Sequence, residues 1–195
     1  MKIIFIGDSL TYGYRVDEEK RWPNTIGEKF QIEILNRGEL GDSTAGMLLR
    51  FYEEAIKKSP DIIIIMGGTN DFLMNCSVEN VQKNIYAMIK EAGQYHIKVI
   101  LGIQPPIIPY MAEKFWVPNV NYTEINEKIS QYSEWVKDFG AMHNLLYIDF
   151  FNKFNELLKN KPPEEYYIDG LHLNSKGHEV MAWAASNVLD ILKTK

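Results

Sequence analysis

Apolar and polar positions along this chain alternate between two periods: short, mainly apolar runs, and longer stretches with an apolar residue every three or four positions. The runs at 3–6, 32–35, 62–66, 99–103 and 145–148 are rich in Ile, Val and Leu and read as five strands. The third, four isoleucines and a methionine, is apolar throughout, as a strand covered on both faces of a parallel sheet should be. Between the runs, helical spacing appears at Ala45, Leu48, Leu49, Tyr52, Ala55 and Ile56, and again at Val78, Val81, Ile85, Met88, Ile89 and Ala92. It recurs at Ile125, Ile129, Tyr132, Val136 and Phe139, and at Val180, Met181, Ala184, Ala185, Val188, Leu189 and Leu192. Each set predicts a helix with one apolar stripe. Because parallel neighbours need crossover helices, the alternation predicts an α/β fold, a three-layer α/β/α sandwich around a five-stranded parallel sheet. No repeat or linker interrupts it, so residues 1–195 are expected to form a single domain. Two irregular stretches remain, 104–120 with Pro105, Pro106, Pro109 and Pro118, and 160–172 with Pro162 and Pro163. Long ordered loops in compact domains are often functional.

Composition narrows the partners. The chain has 195 residues, 46% hydrophobic and 24% charged, and no stretch approaches the run of about 20 apolar residues a membrane helix needs. Asp8 cuts the first apolar run too short for a signal-peptide core, which makes the cytoplasm the expected location. A single cysteine, Cys76, excludes an internal disulfide and a cysteine-rich zinc site. The net charge of −5 opposes nonspecific attraction to nucleic acid, leaving small molecules as the expected ligands.

In open parallel sheets ligands bind beyond the carboxyl ends of the strands. The residues expected there form a pattern: Gly7-Asp8-Ser9-Leu10 after the first strand, Asn36-Arg37-Gly38 and Gly41-Asp42-Ser43 after the second, and Gly67-Gly68-Thr69-Asn70-Asp71 after the third. Further on, Asp169 and His172 stand three apart around Gly170. A carboxylate on one imidazole nitrogen fixes the tautomer and frees the other nitrogen to take a proton from a hydroxyl. Ser9, Asp169 and His172 thus supply a nucleophile, an orienting carboxylate and a base. An oxyanion would need donors on tight turns or a side-chain amide, which Ser9, Gly41 and Asn70 can provide. At Gly41 the missing Cβ lets the backbone approach a reacting carbonyl.

These residues resemble the GDSL or SGNH esterases and lipases, whose signature Ser, Gly, Asn and His lie in separate blocks. Ser9 in GDSL matches the nucleophile, Gly41 in NRGELGDST the glycine donor, Asn70 in GGTND the amide donor, and His172 in DGLHLN the base, with Asp169 its partner. The resemblance implies a flavodoxin-like sheet, esterase, lipase, thioesterase or carbohydrate deacetylase chemistry on carboxylic esters through a Ser9 acyl-enzyme, and no metal or organic cofactor. The 104–120 loop belongs to no shared block.

Other residues invite plainer readings. Asp8, directly before the nucleophile, is expected to shape the turn by accepting backbone hydrogen bonds. His96 and His143 fall near strand starts and His178 on the last helix, so only His172 has an Asp at a useful spacing. Tyr12, Tyr110, Phe115, Trp116, Tyr166 and Tyr167 are candidates to wall a pocket for an acyl group or a sugar, against core packing or a dimer contact; Trp22 is expected in the core. H-E-x-x-H, P-loop, G-x-G-x-x-G and G-x-S-x-G are all missing. Two alternatives stay open, a noncatalytic α/β module that binds a small ligand on its turns and an acyltransferase using the same residues. The acyl group, the alcohol and the oligomeric state are left open as well.

Overall fold

The computed structural model describes residues 1–116 and 120–193, with side chains through residue 191. In chain order the elements are β1 (Lys2–Gly7), α1 (Ser9–Tyr12), α2 (Trp22–Phe30), β2 (Glu33–Gly38), α3 (Thr44–Glu54), β3 (Ile62–Met66) and α4 (Thr69–Leu73). They continue with α5 (Val78–Gln94), β4 (Lys98–Ile103), α6 (Pro109–Phe115), α7 (Tyr122–His143), β5 (Leu146–Asp149), α8 (Phe150–Leu157) and α9 (Ser175–Lys193). The strands form one parallel sheet in the order β2-β1-β3-β4-β5. The expected α/β sandwich is therefore what the chain adopts.

The two faces of the sheet are covered by different helices, and strand parity decides which side chain meets which. Ile4, Ile6, Ile63, Ile65, Leu101 and Ile103 pack with Met47 and Phe51 of α3, Ile85 and Met88 of α5, and Ile129 and Val136 of α7. Their neighbours Ile3, Phe5, Ile62, Ile64 and Ile100 face the other way, onto Trp22 and Ile26 of α2, Phe150 and Phe154 of α8, and Met181 and Ala185 of α9. Every residue of β3 is buried, as its sequence requires. Each large apolar side chain removed from water this way contributes about 1.5–3 kcal/mol. Trp22 sits in this core with no exposed surface, edge-on to Phe5 and Phe150 at centroid distances of 5.0 and 5.4 Å.

Three expectations change. The second strand runs to Gly38 rather than ending at Leu35, because Asn36, Arg37 and Gly38 continue the ladder opposite Phe5, Ile6 and Gly7. The buried face of α3 is Thr44, Met47 and Phe51, whereas Leu49 is 90% exposed and Ala45 and Tyr52 are also exposed. Thr44, Met47 and Phe51 share one face of α3: the Thr44 N–H and hydroxyl both donate to buried Asp71, and Met47 and Phe51 pack in the core. The 104–120 stretch contains α6, started by Pro109 in the first turn, where its missing N–H costs nothing. Residues 117–119 of that stretch and the Leu192 side chain lie outside the described residues. No helix among the described residues is long and apolar enough to cross a membrane.

Between β1 and β3 the strand order reverses, since the chain leaves β1 for the edge strand β2 and then returns past β1. This is where a crevice opens in such sheets. Gly38 is central to its construction: a Cβ there would lie 2.2 Å from the Tyr12 nitrogen and 2.8 Å from the Asp8 carbonyl oxygen. Both contacts are backbone, so the turn carrying Ser9 would have to move. Gly38→Ala should lower stability by about 1–3 kcal/mol in urea denaturation.

Candidate active site

Ser9 opens α1, a single helical turn immediately after β1. Asp8 caps it, Oδ1 accepting from the Leu10 N–H at 2.9 Å, and Gly13 ends it in the left-handed region with φ +84°. The turn is fixed from three sides. Trp22 Nε1 donates to the Leu10 carbonyl at 3.1 Å, Asn36 Nδ2 to the Thr11 carbonyl at 2.9 Å, and Arg50 Nη2 to the Gly7 carbonyl at 3.1 Å.

His172 reaches Ser9 from the far end of the chain. Asp169 Oδ1 accepts from the backbone N–H groups of Leu171 and His172 at 2.9 and 2.7 Å, while Oδ2 lies 2.9 Å from His172 Nδ1. A carboxylate can only accept, so the imidazole proton sits on Nδ1 and Nε2 keeps its lone pair. Nε2 is 2.9 Å from Ser9 Oγ. Burial works to raise the Asp169 pKa, but the hydrogen bonds from the His172 ring and from the backbone, with the nearby imidazole, outweigh it and hold the carboxyl below its ordinary value. The 104–120 loop underpins this turn: the Ile108 N–H donates to the Gly170 carbonyl at 2.8 Å, and the Tyr167 hydroxyl to the Pro106 carbonyl at 2.7 Å. Asn126 anchors the loop in turn, exchanging hydrogen bonds of 2.8 and 2.7 Å with the Ile107 backbone.

Three hydrogen-bond donors border the same cleft. Gly41 lies in the left-handed region at φ +75°, and a Cβ there would meet nothing within 4 Å, so its freedom is conformational rather than steric. Neither its N–H nor that of Ser9 has an acceptor among the described residues. Asn70 Nδ2 donates one proton to the Asp42 carbonyl at 2.9 Å, which orients the amide and leaves its second proton free. Asp42 is itself held by Arg50 at 2.8 Å, and Ser43 caps α3 through the Gly46 N–H. The loops bearing Gly41 and Asn70 are also joined by Asp71 on Thr44, at 2.9 and 2.6 Å. Ser9, Gly41, Asn70, Asp169 and His172 are thus brought together.

Charge behind the site is unusual. Asp8 is buried, its Oδ2 has no hydrogen-bond partner among the described residues, and burial pushes its pKa up to about 7. The Leu10 N–H and His172 pull that value down; Asp42 and Asp71 push it up. His178, on α9, is a separate matter: its Nδ1 accepts from the Trp22 N–H at 3.1 Å, and burial lowers its pKa to about 4, so it is a neutral structural acceptor. His96 and His143 lie at the opposite ends of the strands.

The cleft holds about 330 Å³ and is walled by Leu10, Tyr14, Leu40, Leu73, Trp116 and Leu171 around the polar residues. Of the aromatic candidates, Trp116 borders it. Tyr12 lies against the Arg21 guanidinium, Tyr110 donates to Glu164 at 2.5 Å, and Phe115 is exposed. Tyr166 packs against the core on the α2–α8–α9 face and Tyr167 is buried edge-on to Phe154. Tyr14, Leu40 and Leu73 were not marked by periodicity; their only sequence signal is closeness to Ser9, Gly41 and Asn70.

The model of the GDSL-like lipase/acylhydrolase family matches residues 5–180. An acetylxylan esterase from Geobacillus stearothermophilus is 24% identical, covering 94% of this chain and 91% of its own. An arylesterase from Vibrio mimicus is 25% identical, covering 71% and 78%. Among solved structures, a member of the lipolytic protein G-D-S-L family from Veillonella parvula superposes with TM-score 0.84 at 26% identity, covering 96% of this chain and 97% of that one.

The raised Asp8 pKa has a consequence for stability. Between about pH 4 and pH 7 the folded chain keeps the Asp8 proton while the unfolded chain has lost it, so stability falls as pH rises through that window. The contribution is of the order of a few kcal/mol. Urea denaturation at about pH 4.5 and about pH 7 should show Asp8→Asn losing less stability between the two than the unmodified protein loses. An equal loss in both proteins would assign the effect to other groups.

Proposed function

Because this chain belongs to the GDSL-like lipase/acylhydrolase family and is a hydrolase of ester bonds, we propose that it works as a serine acylhydrolase through Ser9, with residues 1–195 as one catalytic domain. The observation that carries this reading is the unbroken chain from Asp169 Oδ2 to His172 Nδ1 and from His172 Nε2 to Ser9 Oγ, each link 2.9 Å.

In the first half, Ser9 Oγ attacks the ester carbonyl as its proton passes to His172 Nε2. The carbon–oxygen bond to the alcohol then breaks, and His172 returns the proton to the departing oxygen, leaving an ester on Ser9. In the second half water attacks that ester with His172 as base, and Ser9 leaves with its proton restored. Asp169 keeps the imidazole in one tautomer and stabilises its protonated form. The backbone N–H groups of Ser9 and Gly41 and the free Asn70 amide proton receive the oxyanion in both halves. The Ser9 turn and the Asn70 amide are held before substrate arrives by bonds that do not involve the substrate, so little reorganisation is needed there when charge develops.

Ser9→Ala should lower turnover of a short-chain p-nitrophenyl ester by about ten-thousandfold or more while leaving thermal unfolding intact, and a fluorophosphonate should label the Ser9 peptide and no other. Full activity in that variant excludes the mechanism. Asn70→Ala should lower kcat about a hundredfold to a thousandfold, with a smaller effect on KM, if its amide serves the transition state.

A further inference from the structure

Resting on the serine mechanism above, we propose that Tyr14 and Trp116 form the subsite for the alcohol half of the ester and select a flat apolar leaving group over a sugar.

The argument begins with where the alcohol must lie. The proton that Ser9 loses reaches the departing oxygen only through His172 Nε2, so that oxygen must come within hydrogen-bond reach of the imidazole. The carbonyl oxygen is drawn the other way, towards the donors at Gly41 and Asn70. The alcohol half is therefore held against His172, and the acyl half falls towards Leu40, next to Gly41, and Leu73, three residues after Asn70.

Two aromatic rings flank that imidazole. Tyr14 lies with its ring centroid 4.5 Å from that of His172, and Trp116 at 5.3 Å, each inclined by 48°. They come from separate segments, one just past α1 and the other just past α6, and both line the cleft. Trp116 keeps 44% of its surface exposed, so ring area remains for a ligand to cover.

A sugar could stack on such rings, but it also needs partners for its hydroxyls, and leaving those unpaired is costly. Among the described residues, no Lys, Arg or Glu lines the cleft. Ser9, Asn70 and His172 are occupied by the reaction, and Asp8 and Thr69 are buried. Apart from the Tyr14 hydroxyl and the Trp116 indole N–H, too few to pair the several hydroxyls of a sugar, the wall that remains is leucine and aromatic ring, which suits a benzyl-like or aryl group.

Benzyl acetate and methyl acetate test this with one acyl group and two alkoxide leaving groups of similar character; a fully acetylated methyl xyloside provides the sugar. The kcat/KM for benzyl acetate should exceed that for methyl acetate by about tenfold or more, and exceed that for the xyloside. Trp116→Ala should shrink the benzyl-to-methyl ratio towards one, and Trp116→Phe should keep most of it. Competitive inhibition of methyl acetate hydrolysis by benzyl alcohol, weakened in Trp116→Ala, reads the same subsite without turnover of the aromatic ester. A ratio near one in the unmodified protein, an equal loss on both esters in Trp116→Ala, or a preference for the xyloside would overturn the proposal. Failure of the serine mechanism is seen separately, as persisting hydrolysis of both acetates by Ser9→Ala.

Discussion

The parallel register of the sheet is the constraint on which the site depends. Gly38, Gly7, Met66, Gly102 and Ile148 stand in one row across the five strands. Because all strands run the same way, the chain leaves every strand near this level, and Ser9, Gly41 and Asn70 follow the row within four residues. Three of the five positions are glycine, which keeps the row low and lets the α1 turn settle directly on β2. An antiparallel pairing of the same apolar runs would send alternate loops to the opposite edge and separate these groups.

Convergence at one edge does not by itself hold loops still, and here buried polar bonds do so. Asp71 of α4 holds the start of α3, Arg50 of α3 reaches both Asp42 and the Gly7 carbonyl, and Trp22 and Asn36 hold the α1 turn. Each bond joins a loop that carries a reacting group to a different element of the sandwich. Such bonds are worth more inside a packed protein than in water, and leaving one partner unpaired would be costly. The proline-bearing loop plays the same part for the Asp169–His172 turn through Ile108, Pro106 and Asn126.

Two carboxyl groups near the imidazole are treated in opposite ways. Asp169 receives three hydrogen bonds and stays ionised, which suits the part proposed for it beside His172. Asp8 receives one from Leu10 and is otherwise enclosed, so its proton is retained until about pH 7. Burial outweighs a single hydrogen bond and raises one pKa; three hydrogen bonds and the imidazole outweigh burial and lower the other.

The sequence alone determined the fold class and singled out the residues that meet at the cleft. Five apolar runs of strand length with helical stripes between them specify a parallel sandwich, and turn residues after those runs mark where polar groups can stand. Tertiary structure decided what local pattern cannot encode. The α3 stripe was legible as helical, but its buried face is seen only in the packed chain, where Thr44 bonds Asp71, 27 residues away, and Met47 and Phe51 meet the core. The role of the 104–120 loop was invisible because its bonds run to Gly170 and Asn126 rather than to its own neighbours. The cleft wall was least legible: Trp116 was one aromatic candidate among several, and Tyr14, Leu40, Leu73 and Trp116 come from four separate segments and share no period. Periodicity reports which face of one element meets the core; a cleft between loops has no period to report, and only the packed chain defines it.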